Sequence, residues 1–194
     1  MSTQAWFPTP IYTTQLEGVE FQNVQTELYN VMDNFVFAQI PNWAVDTHEL
    51  SGDAFKDDSL SKFECKHFLN ILDKHVNLYL NDLNCHPDRQ YIISQSWFTK
   101  TKNKKYAHRH DHGANDISGV YYLKTNQHDG NLYFESLNRS LSSNFVFGCI
   151  PAEQELPSKE GLMALWPSML NHGTRTNNTD HERISVSFNL KFIQ

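Results

Sequence analysis

Past Pro87 the chain changes character, and that change limits the folds open to it more than any other feature. "YIISQSWFT", "DISGVYYLK", "NLYFES", "NFVFGCI", "GLMALWP" and "RISVSFNLKF" are short runs rich in aromatic and β-branched residues. Such residues fit a pleated, half-buried surface. Clusters such as "NQHDG", "NHGT" and "NNTD" separate most of the runs and read as turns. Many short strands imply a sandwich or barrel. Their uneven connections suit a jelly roll better than a meander.

Before Pro87 the periodicity is helical. From Val19 to about Phe37, apolar Phe21, Val24, Leu28, Val31, Met32 and Phe35 recur at three- and four-residue intervals, one face of an amphipathic helix. A loop, "IPNWAVDTHELSGDAFKDD", follows. Asp58 or Ser59 can then cap a second helix, lined by Leu60, Phe63, Leu72, Val76, Leu80 and Leu83 and ending near "NCHPD". The opening "WFPTPIYTTQL" reads as a strand, with Pro8 and Pro10 tolerated only at its start or on an edge. The expected class is α+β in one domain over 1–194. An N-terminal strand and two supporting helices occupy 1–87, and the jelly-roll core occupies 88–194.

The bulk numbers narrow the function. With 39% apolar residues, 13 Phe and 8 Tyr, the chain can bury a real core. A net charge of -6 argues against a dedicated nucleic-acid binder. The one basic cluster, "KTKNKK" at Lys100–Lys105, reads as a solvated hairpin tip. Cys65, Cys85 and Cys149 form no CxxC spacing, and an odd, unpatterned count fits a reducing compartment. No basic stretch followed by an apolar run opens the chain, and no run is long enough to span a bilayer. The expected location is cytoplasmic, the host cytoplasm if a phage encodes the protein. Oligomeric state is not legible.

Chemistry concentrates in "AHRHDHGANDISGVYYL", where His108, His110 and His112 stand on alternate positions. In an extended segment residues two apart share a face, so these rings could point together, with Arg109 and Asp111 opposite. Neutral imidazole is the commonest protein ligand for transition metals. The last strand carries a second signal. Ile184, Val186, Phe188, Leu190 and Phe192 occupy one face of "RISVSFNLKF", and Arg183, Ser185, Ser187, Asn189 and Lys191 the other. That polar face either meets solvent or lines a barrel interior. In the second case Arg183, with the Ser185 hydroxyl two residues on, is a ready carboxylate clamp. His172 follows the apolar strand ending in "WP". A His-x-His pair plus this distal histidine supplies three nitrogen ligands and leaves coordination positions open.

The order of "SWF", "HDH", "ISGVYYL", "GNLYFES", "GLMALWPSMLNHG" and "ERISVSFN", over roughly Gln95 to Phe192, resembles the iron- and 2-oxoglutarate-dependent dioxygenases. It is similar in particular to the small prolyl-hydroxylase-like proteins of phages and marine bacteria, and the opening "WFPTPIY" is similar too. The resemblance implies a double-stranded β-helix, that is, a jelly roll, holding Fe(II) and the co-substrates 2-oxoglutarate and O2. It implies His110 and His172 as first and distal metal ligands. It also implies that Arg183 meets the far carboxylate of 2-oxoglutarate, with Ser185 and Tyr122 beside it. The wider superfamily carries His-x-Asp/Glu, whereas here His112 stands two residues after His110. A histidine leaves no room for the halide that halogenases bind where they lack that carboxylate. Asp111 could replace His112 if the strand bulged, and His108 could shift the pair by two.

The resulting expectation is a dioxygenase that hydroxylates a C–H bond and releases succinate and CO2. Two alternatives stay open. One is a cupin-like three-histidine metalloenzyme that does not use 2-oxoglutarate, and the other is a non-enzymatic metal-binding jelly roll. The substrate, whether small molecule or peptide, is not identified by sequence, although Trp97, Thr99, Arg109 and Arg175 are candidates for the pocket mouth.

Overall fold

Two antiparallel sheets face one another across a shared interior in this computed structural model, which describes residues 8–39, 48–51, 57–85 and 89–193. The chain runs β1 (Tyr12–Gln15), α1 (Gly18–Met32), β2 (Glu49–Leu50), α2 (Ser59–Lys62) and α3 (Lys66–Asp82). It continues through β3 (Gln90–Thr101), β4 (Ala107–His110), β5 (Ile117–Lys124) and β6 (Leu132–Glu135) to a 3-10 turn at Arg139–Ser143. β7 (Glu153–Leu156), β8 (Leu162–Pro167), β9 (His172–Thr174) and β10 (Arg183–Ile193) complete it. The larger sheet has the order β1-β8-β5-β10-β3-β2, and the smaller β4-β9-β6-β7. This is the double-stranded β-helix that the sequence implies.

β10 lies between β5 and β3, with Ser185 opposite Tyr122 on one side and Thr99 on the other. Its apolar residues Ile184, Val186, Phe188 and Leu190 pack with Val24 and Leu28 of α1 and Phe68, Leu72 and Val76 of α3 in one buried cluster. The two long helices therefore cover the outer face of the larger sheet. Between the sheets a smaller cluster joins Val120, Tyr122, Leu132, Phe134, Ala164 and Trp166.

Helix ends depart from the periodic reading for local and for long-range reasons. α1 stops at Met32 because the Asn34 side chain donates to the carbonyls of Asn30 and Val31, both at 3.1 Å. Phe35 still packs inward, edge-on to Phe63 at 5.1 Å between ring centres, but from outside the helix. The expected second helix is delivered in two pieces. Asp58 caps α2 by accepting from the Ser61 amide at 3.2 Å. Glu64 then adopts φ 49°, with its own amide donating to Ser61 and that of Cys65 to Leu60. That pairing is the Schellman termination, here without glycine. α3 restarts with no cap of its own; Glu27, on α1, accepts from the amides of His67 at 3.0 Å and Phe68 at 2.8 Å.

Two strand expectations need correction. "NFVFGCI" is not a strand: it is a turn after the 3-10 helix, with Phe145 at 103% exposure and Val146 and Phe147 also open to solvent. The strand instead forms at "EQEL" (β7), paired with β6. β7 is the outer edge of the smaller sheet, so its outward Glu153 and Glu155 follow the charge of Arg175 and not an apolar alternation. β1 is an edge strand shorter than expected, with Pro8 and Pro10 before it, while Trp6 and Phe7 lie outside the described residues. So does most of the loop before Asp58, although its Glu49–Leu50 forms β2. The "KTKNKK" stretch ends β3 with Lys100 and the buried Thr101 and then makes the β3–β4 turn, where Lys102, Asn103 and Lys104 are exposed and Lys102 pairs with Glu49 at 2.7 Å. Among the described residues no helix is long and apolar enough to cross a membrane.

Glu27 makes a testable contribution. It satisfies two otherwise orphaned donors of a helix N-terminus, where negative charge is also favoured. Replacing a helix cap by alanine typically costs about 1–2 kcal/mol. Glu27→Ala is expected to lower the unfolding free energy by about that amount in urea titrations. The native far-UV spectrum should be unchanged.

Candidate functional site

Because β10 turns its apolar side to the helices, its polar side faces inward. Arg183, Ser185, Ser187 and Asn189, with Val120 and Tyr122 of β5, line a cavity of about 340 Å³ between the sheets. That volume is at the small end of small-molecule sites. Of the two readings of the polar face, the interior one holds.

The three histidines converge at one end of this cavity. His110 is the last residue of β4 and pairs across to His172, the first of β9. His112 lies beyond the strand, where its amide donates to the Ser168 carbonyl at 2.8 Å. One ligand atom from each of His110, His112 and His172 lies within 4.8 Å of the others, so small side-chain rotations can bring all three onto one ion. His108 does not join them. The ladder is irregular between Ala107 and His110, and the His108 ring stands edge-on to Tyr106 at 4.8 Å. Asp111 lines the cavity but spends a carboxylate oxygen on the Gly113 amide at 3.0 Å, and it is not in the cluster.

In all three rings Nδ1 is committed to an oxygen. His110 Nδ1 is 2.6 Å from the His108 carbonyl, and His172 Nδ1 is 2.9 Å from the Leu170 carbonyl. His112 Nδ1 is 2.7 Å from Asn189 Oδ1. A carbonyl oxygen only accepts, so Nδ1 carries the proton and Nε2 the lone pair in each ring. Holding the tautomer in this way is the usual support of a metal-binding histidine. Burial lowers the pKa of all three. It takes His112 down to about 4, with His110 beside it adding to the effect, and takes His172 well below its ordinary value. The cluster is therefore neutral at pH 7, the form that ligates.

Arg183 sits in the same cavity at 2% exposure. Nη1 donates to the backbone carbonyls of Asp129 (3.1 Å) and Gly130, and Nη2 to Thr101 Oγ1 at 3.1 Å. Gly130 holds φ 95°, and a side chain there would run into the Arg175 carbonyl, so only glycine presents its oxygen in this way. The Asp129 carboxylate is spent elsewhere, on Thr125 Oγ1, the Asn126 amide and His181 Nδ1. Among the described residues Arg183 makes no ion pair, and its buried Nε has no partner. Burial lowers its pKa, opposed by Tyr122 and Asp129. A buried guanidinium without a counter-charge is costly. An anionic ligand would relieve that cost.

Tyr122 and Ser185 stand opposite each other in register and both line this part of the cavity. Trp97 and Thr99 line it as well. Arg109 and Arg175 do not: Arg109 pairs with Glu135 at 2.6 Å, and Arg175 pairs with Glu153 and Glu155 over the face of Tyr133. Sequence reasoning missed His48, which lines the cavity and is driven by burial down to about 4. It sits in an irregular loop with no periodic signal. The partner role of Asn189 was also missed, although it shares the polar face of β10 with Arg183.

A pH dependence follows from these burials. An unfolded histidine titrates near 6.5, whereas His48 and His112 titrate near 4 when folded. Between those values the unfolded chain binds more protons, so stability is present above pH 6.5 and lost as pH falls towards 4. In metal-free protein the urea midpoint should decline from pH 6.5 to 5. A His48→Gln, His112→Gln double variant should show a shallower decline over that window, where most carboxylates stay ionised.

Comparison with known proteins agrees with this architecture. Residues 95–189 match the model of the family described as "Putative 2OG-Fe(II) oxygenase". No curated protein matches the chain by sequence. Among solved structures, a 2OG-Fe(II) oxygenase family oxidoreductase from Burkholderia pseudomallei is similar with a TM-score of 0.65 and 13% identity, over 92% of this chain and 84% of that one. HygX from Streptomyces hygroscopicus, solved with nickel and 2-oxoglutarate bound, gives 0.62 and 12% over 94% and 83%. A Pseudomonas putida prolyl-4-hydroxylase gives 0.61 and 13% over 94% and 93%. At such identities the likeness is one of fold. The family match spans the three histidines, Tyr122, Arg183 and Ser185, and over that stretch the chain is similar to the 2OG-Fe(II) oxygenases.

Proposed function

We propose that the protein is an Fe(II)- and 2-oxoglutarate-dependent dioxygenase that hydroxylates a C–H bond of a small-molecule or peptide substrate. One observation carries this reading: the buried Arg183, without a carboxylate partner among the described residues, shares a cavity with three convergent neutral imidazoles. Iron with 2-oxoglutarate and O2 supplies the oxidising chemistry, releasing succinate and CO2. His110, His112 and His172 would hold the metal through Nε2, leaving positions open for co-substrate and oxygen. Arg183 and Ser185 would hold the distal carboxylate of 2-oxoglutarate, with the Tyr122 hydroxyl beside it. Val120, Leu132 and Trp166, also on the cavity wall, keep water from the reacting centre.

Charge balance supports the same assignment. Three neutral imidazoles leave a ferrous ion its two positive charges and Arg183 adds a third; dianionic 2-oxoglutarate would offset two of the three, with one carboxylate at each end of the cavity. The nickel and 2-oxoglutarate in HygX support the pairing of metal and co-substrate. A cupin-like site without 2-oxoglutarate gives Arg183 no task, and a structural metal favours a fourth protein ligand and a closed shell. Residues 1–87 act in this reading as the support for the jelly roll over 88–194. The three thiols, none in a disulfide, fit a reducing cytoplasm, that of the host cell if a phage encodes the chain.

Turnover of 2-oxoglutarate to succinate with ferrous iron, across a panel of amino acids, peptides, nucleotides and small metabolites, tests the activity. In calorimetry, His110→Ala and His172→Ala are expected to abolish Mn(II) binding, while His108→Ala leaves it within a few-fold. Arg183→Ala should raise the 2-oxoglutarate dissociation constant roughly ten- to a hundredfold, the loss of a charge-assisted hydrogen-bonded pair. Mn(II) affinity should not change in that variant. Lysine at the same position should restore part of the loss, keeping the charge without the bidentate fork. Wild-type protein that binds no 2-oxoglutarate, or binding indifferent to Arg183, would replace this reading by the cupin-like one.

A further inference from the structure

The three imidazoles are not held in the same way. His110 and His172 are oriented by backbone carbonyls, which no substitution removes. His112 depends on a side chain. We infer that Asn189 is the positioning residue for His112, holding it in the tautomer that presents Nε2 to the cavity. The metal role of His112 rests on the reading proposed above; the hydrogen-bond argument does not.

Asn189 is 2% exposed on β10, in register with Gln95 of β3 and Ser118 of β5. Its Nδ2 donates to Gln95 Oε1 at 2.8 Å, which leaves the oxygen end of the amide turned to His112. Oδ1 is therefore the end 2.7 Å from His112 Nδ1, and it also accepts from Ser118 Oγ at 2.8 Å. Ser118 Oγ lies 2.8 Å from Ser168 Oγ, and the Ser168 carbonyl takes the His112 amide. A closed circuit thus runs from the His112 backbone through Ser168, Ser118 and Asn189 back to its ring. Ser118 and Ser168 are buried, so this circuit is shielded from competing water. Turning the Asn189 amide with Gln95 held in place would set Nδ2 against the ring and Oδ1 against Gln95 Oε1, two acceptors face to face. In the polarity observed, Oδ1 faces the ring, and an acceptor 2.7 Å away requires Nδ1–H on His112.

The test reads tautomers directly. In metal-free protein with 15N-labelled histidine, long-range 1H–15N spectra should show Nδ1–H for His110, His112 and His172. Asn189→Leu keeps the bulk, removes the nearer acceptor and frees the Ser118 hydroxyl, 3.1 Å from His112 Nδ1, to donate to the ring; His112 alone should then lose that preference, with His110 and His172 as internal controls. Mn(II) affinity should fall ten- to a hundredfold, the usual cost of losing such a partner. Asn189→Asp, which keeps an acceptor, should retain both the tautomer and the affinity to within a few-fold. His112 holding Nδ1–H in Asn189→Leu would overturn the proposal. So would a shift of all three rings together, or failure of Asn189→Asp to rescue, since either marks a general disturbance. Wild-type protein that binds no Mn(II) would overturn the metal reading alone, and the tautomers would still decide the role of Asn189.

Discussion

The two-faced period of β10 is the constraint on which the rest of the structure depends. Four of its side chains, Ile184, Val186, Phe188 and Leu190, are buried against the helices. Each such burial is worth about 1.5–3 kcal/mol. A slip of one residue would reverse every side chain on the strand. The apolar face therefore locks the register, and the same lock carries Arg183, Ser185, Ser187 and Asn189 into the interior. Hydrophobic burial on one side of the strand thus stabilises an arrangement of polar groups on the other that would not gather there unaided.

Those polar groups are of two kinds. The histidines enter a desolvated cavity uncharged, because burial and their mutual proximity oppose protonation. Arg183 keeps three oxygen partners, but none of them carries a negative charge. The cavity is thus electropositive at the Arg183 end and rich in lone pairs at the histidine end. A dianion bridging a cation to a guanidinium suits both ends at once. Gly130 and its positive φ make the arginine's seat possible, which links a turn residue to the electrostatics of the site.

Legibility in the sequence follows from how local each cause is. The long helices, the central strands and the two faces of β10 were readable, since each reflects a repeating burial within one segment. β7 was not, because this edge strand is held by its backbone ladder to β6 and its Glu153 and Glu155 pair with Arg175, just past the end of β9, in place of an apolar alternation. Nor was the exposure of Phe145, Val146 and Phe147: an aromatic, β-branched run reads as a strand until no neighbouring strand accepts it. The break at Glu64 and the distant cap from Glu27 were equally hidden, for both depend on how α1 and α3 meet.

For the site, the sequence alone determined the chemical inventory and its order along the chain: His110 and His112, then His172, then Arg183 and Ser185 on a strand of alternating character. Composition and period suffice for that, since they are properties of neighbouring residues. Tertiary structure decided which histidines meet. His108 has the same spacing as its neighbours and is excluded by an irregular ladder, while His112 is brought in after the strand has ended. It also decided that Asn189, distant in sequence, supplies the acceptor for His112, and that Arg183 lies buried without a carboxylate among the described residues. Hydrogen bonds and charge pairs act over a few ångströms, and only the closing of the two sheets sets those distances.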